Sequence, residues 1–242
     1  MAKHNSGKTA LVTGAARRLG RACALALAKR GFSIVAHYNS SEREARSLAK
    51  DVKKLGVACF LVQGDLSGPT EAACVFDRAV SLAGPLDVLV NNASIYEESD
   101  LATAGLEEIT LNLNVHAFSP LVLSRRLAAQ DRKSCIVNFL DARIVRATSP
   151  QAAYHVSKQL LFLLTRTMAT EFAPRVRVNA IAPGAILPPA GKGQAYMRRL
   201  AAANPLHRTG SPDDICRALI YLVESDFVTG QVLFVDGGYH LK

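Results

Sequence analysis

The feature that most limits how this chain can fold is an alternation repeated along its whole length. Short apolar, β-branched runs are followed by longer stretches with helical spacing. Strand-like runs are read at Thr9–Thr13, Ser33–His37, Val57–Val62, Leu86–Val90, Cys135–Leu140, Arg177–Ile181 and Val232–Val235. Between them lie helical patterns at Leu19–Arg30, Ser41–Leu55, Thr70–Ala83, residues 107 to 130, Gln151–Phe172 and Asp213–Glu224, three of them closed by Gly31, Gly56 and Gly84. The strand runs are continuously apolar, as a parallel sheet covered on both faces requires. No linker, repeat or low-complexity segment divides them. The expected fold is therefore α/β: one doubly wound Rossmann domain over residues 1–242, about seven parallel strands with helices on both faces. The one long irregular stretch, Pro183 to about Ser211, is rich in Pro and Gly and is expected to be a substrate lid around residues 184–211.

Composition narrows the function classes. At 49% hydrophobic and 242 residues, the chain can bury a large core and is neither disordered nor collagen-like. Its net charge of +9 suggests an anionic partner, which charge alone leaves as nucleic acid, membrane surface or phosphorylated small molecule. The clusters Arg125/Arg126, Arg132/Lys133 and Arg198/Arg199 read as solvated helix faces, without the aromatic interleaving of a nucleic-acid site. The five cysteines (23, 59, 74, 135, 216) are scattered and contain no CxxC, so buried reduced thiols are expected rather than disulfides or zinc. The six histidines (4, 37, 116, 155, 207, 240) lack metal-ligand spacing. There is no signal-peptide h-region, and the strongest apolar stretch, Leu160 to Leu164, is far too short to span a membrane, so a cytoplasmic protein is expected.

The first strand ends in Thr13-Gly14-Ala15-Ala16-Arg17-Arg18-Leu19-Gly20, directly before a helix. Small residues there let backbone N–H groups approach a pyrophosphate, and the helix N-terminus adds partial positive charge. The second strand ends in His37-Tyr38-Asn39-Ser40-Ser41, without the carboxylate that binds a ribose 2′-hydroxyl. With Arg17 and Arg18 in the turn, the site suits a 2′-phosphate, so NADP(H) is expected over NAD(H). His37 is expected against the adenine side.

Tyr154 and Lys158 stand at i and i+4 near the start of a helix and share one face. A nearby ammonium favours a phenolate and lowers the tyrosine pKa. This pair, the glycine turn, Asn91-Asn92-Ala93 after the fourth strand and Pro183-Gly184 after the sixth occur in order. Together they resemble the short-chain dehydrogenase/reductase family across essentially the whole chain. The resemblance implies that Tyr154 donates a proton and that Lys158 lowers its pKa and binds the nicotinamide ribose. It implies a catalytic asparagine holding a relay water, best matched by Asn114 and next by Asn112. It also implies cofactor contacts from Gly14, Leu19, Gly20, Asp65, Leu66, Asn92, Ala93, Ser94, Pro183, Gly184 and Ile186, with Asp65-Leu66 beside the adenine. The alternative for Asp65 is a simple turn residue.

Three departures narrow the resemblance. Arg18 replaces a turn glycine. Asp141, thirteen residues before Tyr154, replaces the usual serine. Asn92-Ala93-Ser94 with Tyr96 replaces Asn-Ala-Gly. All three resemble the pteridine reductase and dihydromonapterin (dihydrofolate) reductase branch, as do His37-Tyr38 with Ser41 and the C-terminal Phe227-Val228-Thr229-Gly230 with Asp236-Gly237-Gly238. An ionised carboxylate at position 141 opposes a ketone's developing oxyanion but can accept from a pterin's amino and ring N–H groups. Partly protonated, Asp141 could instead deliver a proton; it could also simply cap N–H groups at its strand end. Tyr96 could sandwich a flat ring against nicotinamide, or fill the edge of the core. Arg18 could neutralise a cofactor phosphate and a pterin oxygen.

The function expected is an NADPH-dependent reductase of a dihydropterin or dihydrofolate-type pteridine. A 3-oxoacyl thioester reductase is the alternative within enzymes, and a catalytically silent NADP-binding regulatory protein the alternative outside them. The helix carrying Tyr154 and Lys158 is apolar nearly all round, which calls for a partner on one side. A homo-oligomer using it and the 107–130 helix is expected, a homotetramer by the resemblance, with neither nucleic acid nor membrane as partner.

Overall fold

The computed structural model describes residues 7–96, 99–146, 151–189 and 191–242. His4, noted above, lies outside them. Seven strands form one sheet: β1 (Thr9–Val12), β2 (Ser33–Tyr38), β3 (Cys59–Gln63), β4 (Val88–Asn91), β5 (Ser134–Phe139), β6 (Val176–Pro183) and β7 (Val232–Val235). Their order is β3-β2-β1-β4-β5-β6-β7, and every pairing is parallel. The helices are α1 (Arg18–Lys29), α2 (Glu42–Lys54), α3 (Pro69–Ala83), α4 (Leu106–Leu113), α5 (Ser119–Ala128), α6 (Ala152–Glu171), α7 (Gln194–Ala203) and α8 (Pro212–Glu224). Strand side chains alternate between the two faces. Ala10, Val12, Val90 and Val137 meet Leu27 of α1 and Leu219 of α8, while Leu11, Val35, Leu89 and Ile136 meet Phe76 of α3, Leu123 of α5 and Met168 of α6. Both faces are covered by apolar side chains, so the strands read as largely apolar runs.

Two local features differ from the sequence reading. The stretch after β6 is not wholly irregular, since Gln194–Ala203 forms α7. Its alanines, Met197 and Leu200 favour helix, but the Pro and Gly residues before it hid the pattern. The 107–130 helix is interrupted by a π-turn at Asn114–Phe118 between α4 and α5. The sheet order reverses between β1 and β4, and open α/β sheets bind ligands at such a point, outside the carboxyl ends of the strands. A buried ladder locks the strand ends there: the Asn91 amide donates to Asn138 Oδ1 (2.8 Å), and the Asn138 amide donates to Thr165 of α6 (2.9 Å).

Candidate active site

The turn from β1 into α1 is built from behind. Gly14 has φ +62°, and a Cβ on Gly20 would stand 2.1 Å from the Gly14 carbonyl oxygen, so the turn and helix touch with no room for a side chain. Asn92 closes the same corner, its amide donating to the Thr13 carbonyl (2.8 Å), while Asn92 and Ala93 N–H both donate to Thr13 Oγ1. The N–H groups of Arg18, Leu19 and Gly20, in the first turn of α1, have no intrahelical acceptor and suit a phosphate.

His37 is a correction. It is buried beneath the turn rather than beside an adenine site: Nδ1 accepts from Gly14 N–H (3.2 Å) and Nε2 bonds the Gly64 carbonyl (3.1 Å). Burial pushes its pKa from 6.5 down to about 4, so the ring is neutral, with its proton on Nε2. Tyr38 is also buried, leaving Asn39 and Ser40 exposed at the end of β2. Asp65 accepts from Ser67 N–H (3.0 Å) as a turn residue, and Leu66 is buried beside it.

The two turn arginines diverge. Arg17 points toward α2 and pairs with Glu44 (3.0 Å). Arg18, at φ +51°, turns the other way and donates to the Pro188 carbonyl (2.8 Å), beyond β6. The expectation that both face a 2′-phosphate is therefore corrected, because Arg18's left-handed backbone aims its side chain at the base of the lid segment. Pro183 ends β6, Gly184 N–H donates to the Val235 carbonyl (3.0 Å), and Ile186 is buried in the core.

Tyr154, Lys158, Asp141 and Tyr96 come together at the ends of β4 and β5. The backbone N–H of Ala152 donates to the Ser99 carbonyl (2.8 Å), pinning the loop after β4 to the start of α6. Tyr96 thus meets Tyr154 edge-on at 5.0 Å between ring centres; it is 42% exposed, a rim residue and not core filler. Tyr154 OH donates to Asp141 Oδ2 (3.3 Å). Buried Lys158 donates to the Phe139 carbonyl (2.7 Å), and burial holds its pKa down to about 8 against the opposing pull of Asp141. The lowering expected for the Tyr154 pKa is reversed. Burial and then the Asp141 charge raise the phenol well above its usual pKa, a correction that leaves Tyr154 a protonated donor. Asn114 opens the π-turn, half-buried, whereas the amide of buried Asn112 donates to the Glu108 carbonyl (3.0 Å) in its own helix.

Two residues escaped the sequence reading. His116 lies edge-on to Tyr154 at 5.1 Å; Nδ1 donates to Ser157 Oγ (2.9 Å), and Nε2 accepts from Ile95 N–H (3.2 Å) and faces the Ser94 hydroxyl (3.0 Å). Burial, aided by Lys158, holds its pKa down to about 2. The tautomer follows because Ser157 spends its own proton on the Tyr154 carbonyl (2.7 Å). Arg143 grips Asp141 through Nε on Oδ1 and Nη2 on Oδ2, both at 3.0 Å. Burial raises the Asp141 pKa, but the Arg143 hydrogen bonds and charge outweigh it, and the carboxyl stays below its usual range. Asp141 as a partly protonated donor is therefore corrected. It does cap its strand end, accepting from Arg143 N–H (2.8 Å). The thiol expectation is corrected as well: Cys23 and Cys135 are buried, but Cys59 and Cys216 are half-buried and Cys74 is exposed.

A glycine-bearing turn at the reversal of a parallel sheet, together with a buried Tyr–Lys pair, marks the class of dinucleotide-dependent oxidoreductases. Residues 14–240 match the family model described as enoyl-(acyl carrier protein) reductase, and the chain belongs to the short-chain dehydrogenase/reductase family. It is similar to 3beta-hydroxysteroid dehydrogenase 1 of Eggerthella lenta, 34% identical over 97% of this chain and 94% of the relative. It is similar to the 3-oxoacyl-[acyl-carrier-protein] reductase FabG of Staphylococcus aureus, 31% identical over 97% and 98%. Among solved structures it superimposes on FolM alternative dihydrofolate reductase 1 from Brucella canis, complexed with NADP, with a TM-score of 0.92 and 33% identity over 99% of this chain and 97% of that one. Among the described residues, no helix is long and apolar enough to cross a membrane.

Proposed function

We propose that this protein is an NADPH-dependent reductase of a pteridine of the dihydropterin or dihydrofolate type. The observation that carries this reading is the charge beside the proton donor. Asp141, held ionised by Arg143, stands 3.3 Å from the Tyr154 hydroxyl. A carboxylate there repels a ketone's developing oxyanion but accepts from a ring rich in N–H donors. The likeness to the FolM structure supports the same reading. NADPH, when bound, supplies the hydride. The first turn of α1 and Gly14 would hold its pyrophosphate, and Arg17, Asn39 and Ser40 its 2′-phosphate. The Arg17–Glu44 ion pair is exposed and screened by solvent, so Arg17 can exchange Glu44 for a phosphate, a stronger charge-assisted partner. Tyr154 donates the proton, Asn114 supports its replacement from water, and Lys158 binds the ribose. Tyr96 and Arg18 frame the ring beneath a lid of residues 184–211.

The same proposal includes a cytoplasmic homo-oligomer, a tetramer in the family's manner. Leu163 of α6 and Phe118 beside α5 are 60% and 38% exposed, an apolar surface that a second copy would cover. The test of function is NADPH oxidation with 7,8-dihydrobiopterin, dihydrofolate and an acetoacetyl thioester. Turnover with either pteridine supports the proposal. Turnover with the thioester alone refutes it, and tight NADPH binding with no turnover of any of the three favours a regulatory protein.

A further inference from the structure

Asp141 has little capacity left for a substrate. A carboxylate offers about four lone-pair sites. Oδ1 accepts from Arg143 N–H (2.8 Å) and Nε (3.0 Å); Oδ2 accepts from Arg143 Nη2 (3.0 Å) and from the Tyr154 hydroxyl (3.3 Å). Three of the four come from one residue, and the fourth is the catalytic proton. Arg143 reaches further. Nη2 also donates to the Tyr96 hydroxyl (3.3 Å), Nη1 donates to Gln151 Oε1 (3.4 Å) just before α6, and the guanidinium lies 5.8 Å from the Tyr96 ring centre. One guanidinium thus ties the end of β5, the loop after β4 and the start of the helix bearing Tyr154.

We propose that Arg143 is a positioning residue: it fixes Asp141 as the acceptor of the Tyr154 hydroxyl and sets Tyr96 in the same frame, so that the Asp141–Arg143 pair, not Asp141 alone, replaces the family's serine. A substrate N–H that reaches Asp141 Oδ2 takes the site of the longest of the four bonds, the one from Tyr154. That exchange turns the phenol toward the substrate atom to be protonated. A lone carbonyl brings no donor for the exchange. This mode of selection rests on the pteridine reading; the positioning role of Arg143 does not.

The test combines two readouts on full-length Arg143→Gln and Arg143→Lys. The groups facing Asp141 are Arg143 itself, Tyr154, His155 and Lys158 from α6, and Tyr96 beyond the guanidinium, with His116 on the far edge of Tyr154. Arg143 is the paired cation among them, so its loss raises the carboxyl pKa. The first readout needs no substrate: an infrared pH titration of the carboxylic acid band that Asp141→Asn abolishes. In Arg143→Gln the band is expected to grow in at least about one pH unit higher than in wild type, with Arg143→Lys between them. The second is the pH profile of kcat/KM with 7,8-dihydrobiopterin, or with the thioester if only that turns over. Its acid limb is expected to rise by the same interval and kcat to fall at least tenfold, with the NADPH KM unchanged. An infrared titration of Arg143→Gln that superimposes on wild type overturns the proposal whatever the substrate. If Arg143→Gln does not fold, Arg143→Lys decides: a wild-type titration and wild-type kcat overturn the proposal, and displacement of both supports it.

Discussion

His37 gives the sharpest stability prediction, because its ring is both the support of the phosphate-binding turn and a buried titratable group. In the folded protein burial holds its pKa at about 4, against 6.5 for the free side chain. The neutral ring accepts from Gly14 N–H, and protonation would put a second donor against that N–H. A depressed folded pKa contributes stability that is present above the unfolded value and lost as pH falls. The loss begins near pH 6.5 and is complete near pH 4, below which both states carry the proton. At 1.36 kcal/mol per decade, the interval corresponds to about 3 kcal/mol. His37→Asn keeps an acceptor near Gly14 but cannot titrate. It is expected to be less stable at neutral pH through lost packing, and its deficit against wild type should shrink by about 3 kcal/mol between pH 7.5 and pH 4. Subtracting the two proteins cancels the contribution of His116. The chain has no Trp, so urea unfolding followed by circular dichroism is the assay. A deficit constant across that range to within about 0.5 kcal/mol would refute the placement of a neutral His37 beneath the turn.

Three further outcomes follow from the site. Tyr154→Phe removes the protonated phenol and should reduce kcat by about 10² to 10⁴ in steady-state assays while NADPH affinity, read by fluorescence titration, is kept. Arg17→Ala should weaken NADPH binding about tenfold and leave NADH binding unchanged; equal losses for both would place the 2′-phosphate elsewhere. Leu163→Arg introduces a charge into the apolar surface of α6 and should give a smaller species by light scattering at micromolar concentration, whereas a wild-type monomer would remove the oligomer proposal.

The fold was legible because a two-sided parallel sheet leaves an unusual trace, seven largely apolar runs spaced by helices. The turn at Gly14 and Gly20 was legible for a related reason, since close backbone contact tolerates only small residues. What sequence could not convey is where side chains go once distant segments meet. His37 reads as a polar strand end facing ligand, but strand alternation sends it beneath the turn. Arg143 draws its meaning from Tyr96, far away in sequence, and His116 from Ser94, Ile95 and Ser157. The direction of the Tyr154 pKa was misjudged because spacing brings Lys158 near but does not show that the phenol is buried and faces the Asp141 carboxylate. The diverging paths of Arg17 and Arg18 depend on one left-handed backbone angle, which sequence alone leaves open.

The central claim is that the carboxylate at position 141 selects a pteridine over a ketone. The most direct test is the ratio of kcat/KM for 7,8-dihydrobiopterin to that for an acetoacetyl thioester, measured in wild type and in Asp141→Ser with NADPH saturating. The account predicts a ratio above one in wild type that falls at least tenfold in Asp141→Ser, through slower pteridine reduction and faster thioester reduction. A wild-type ratio below one, or a ratio unmoved by the substitution, would contradict it.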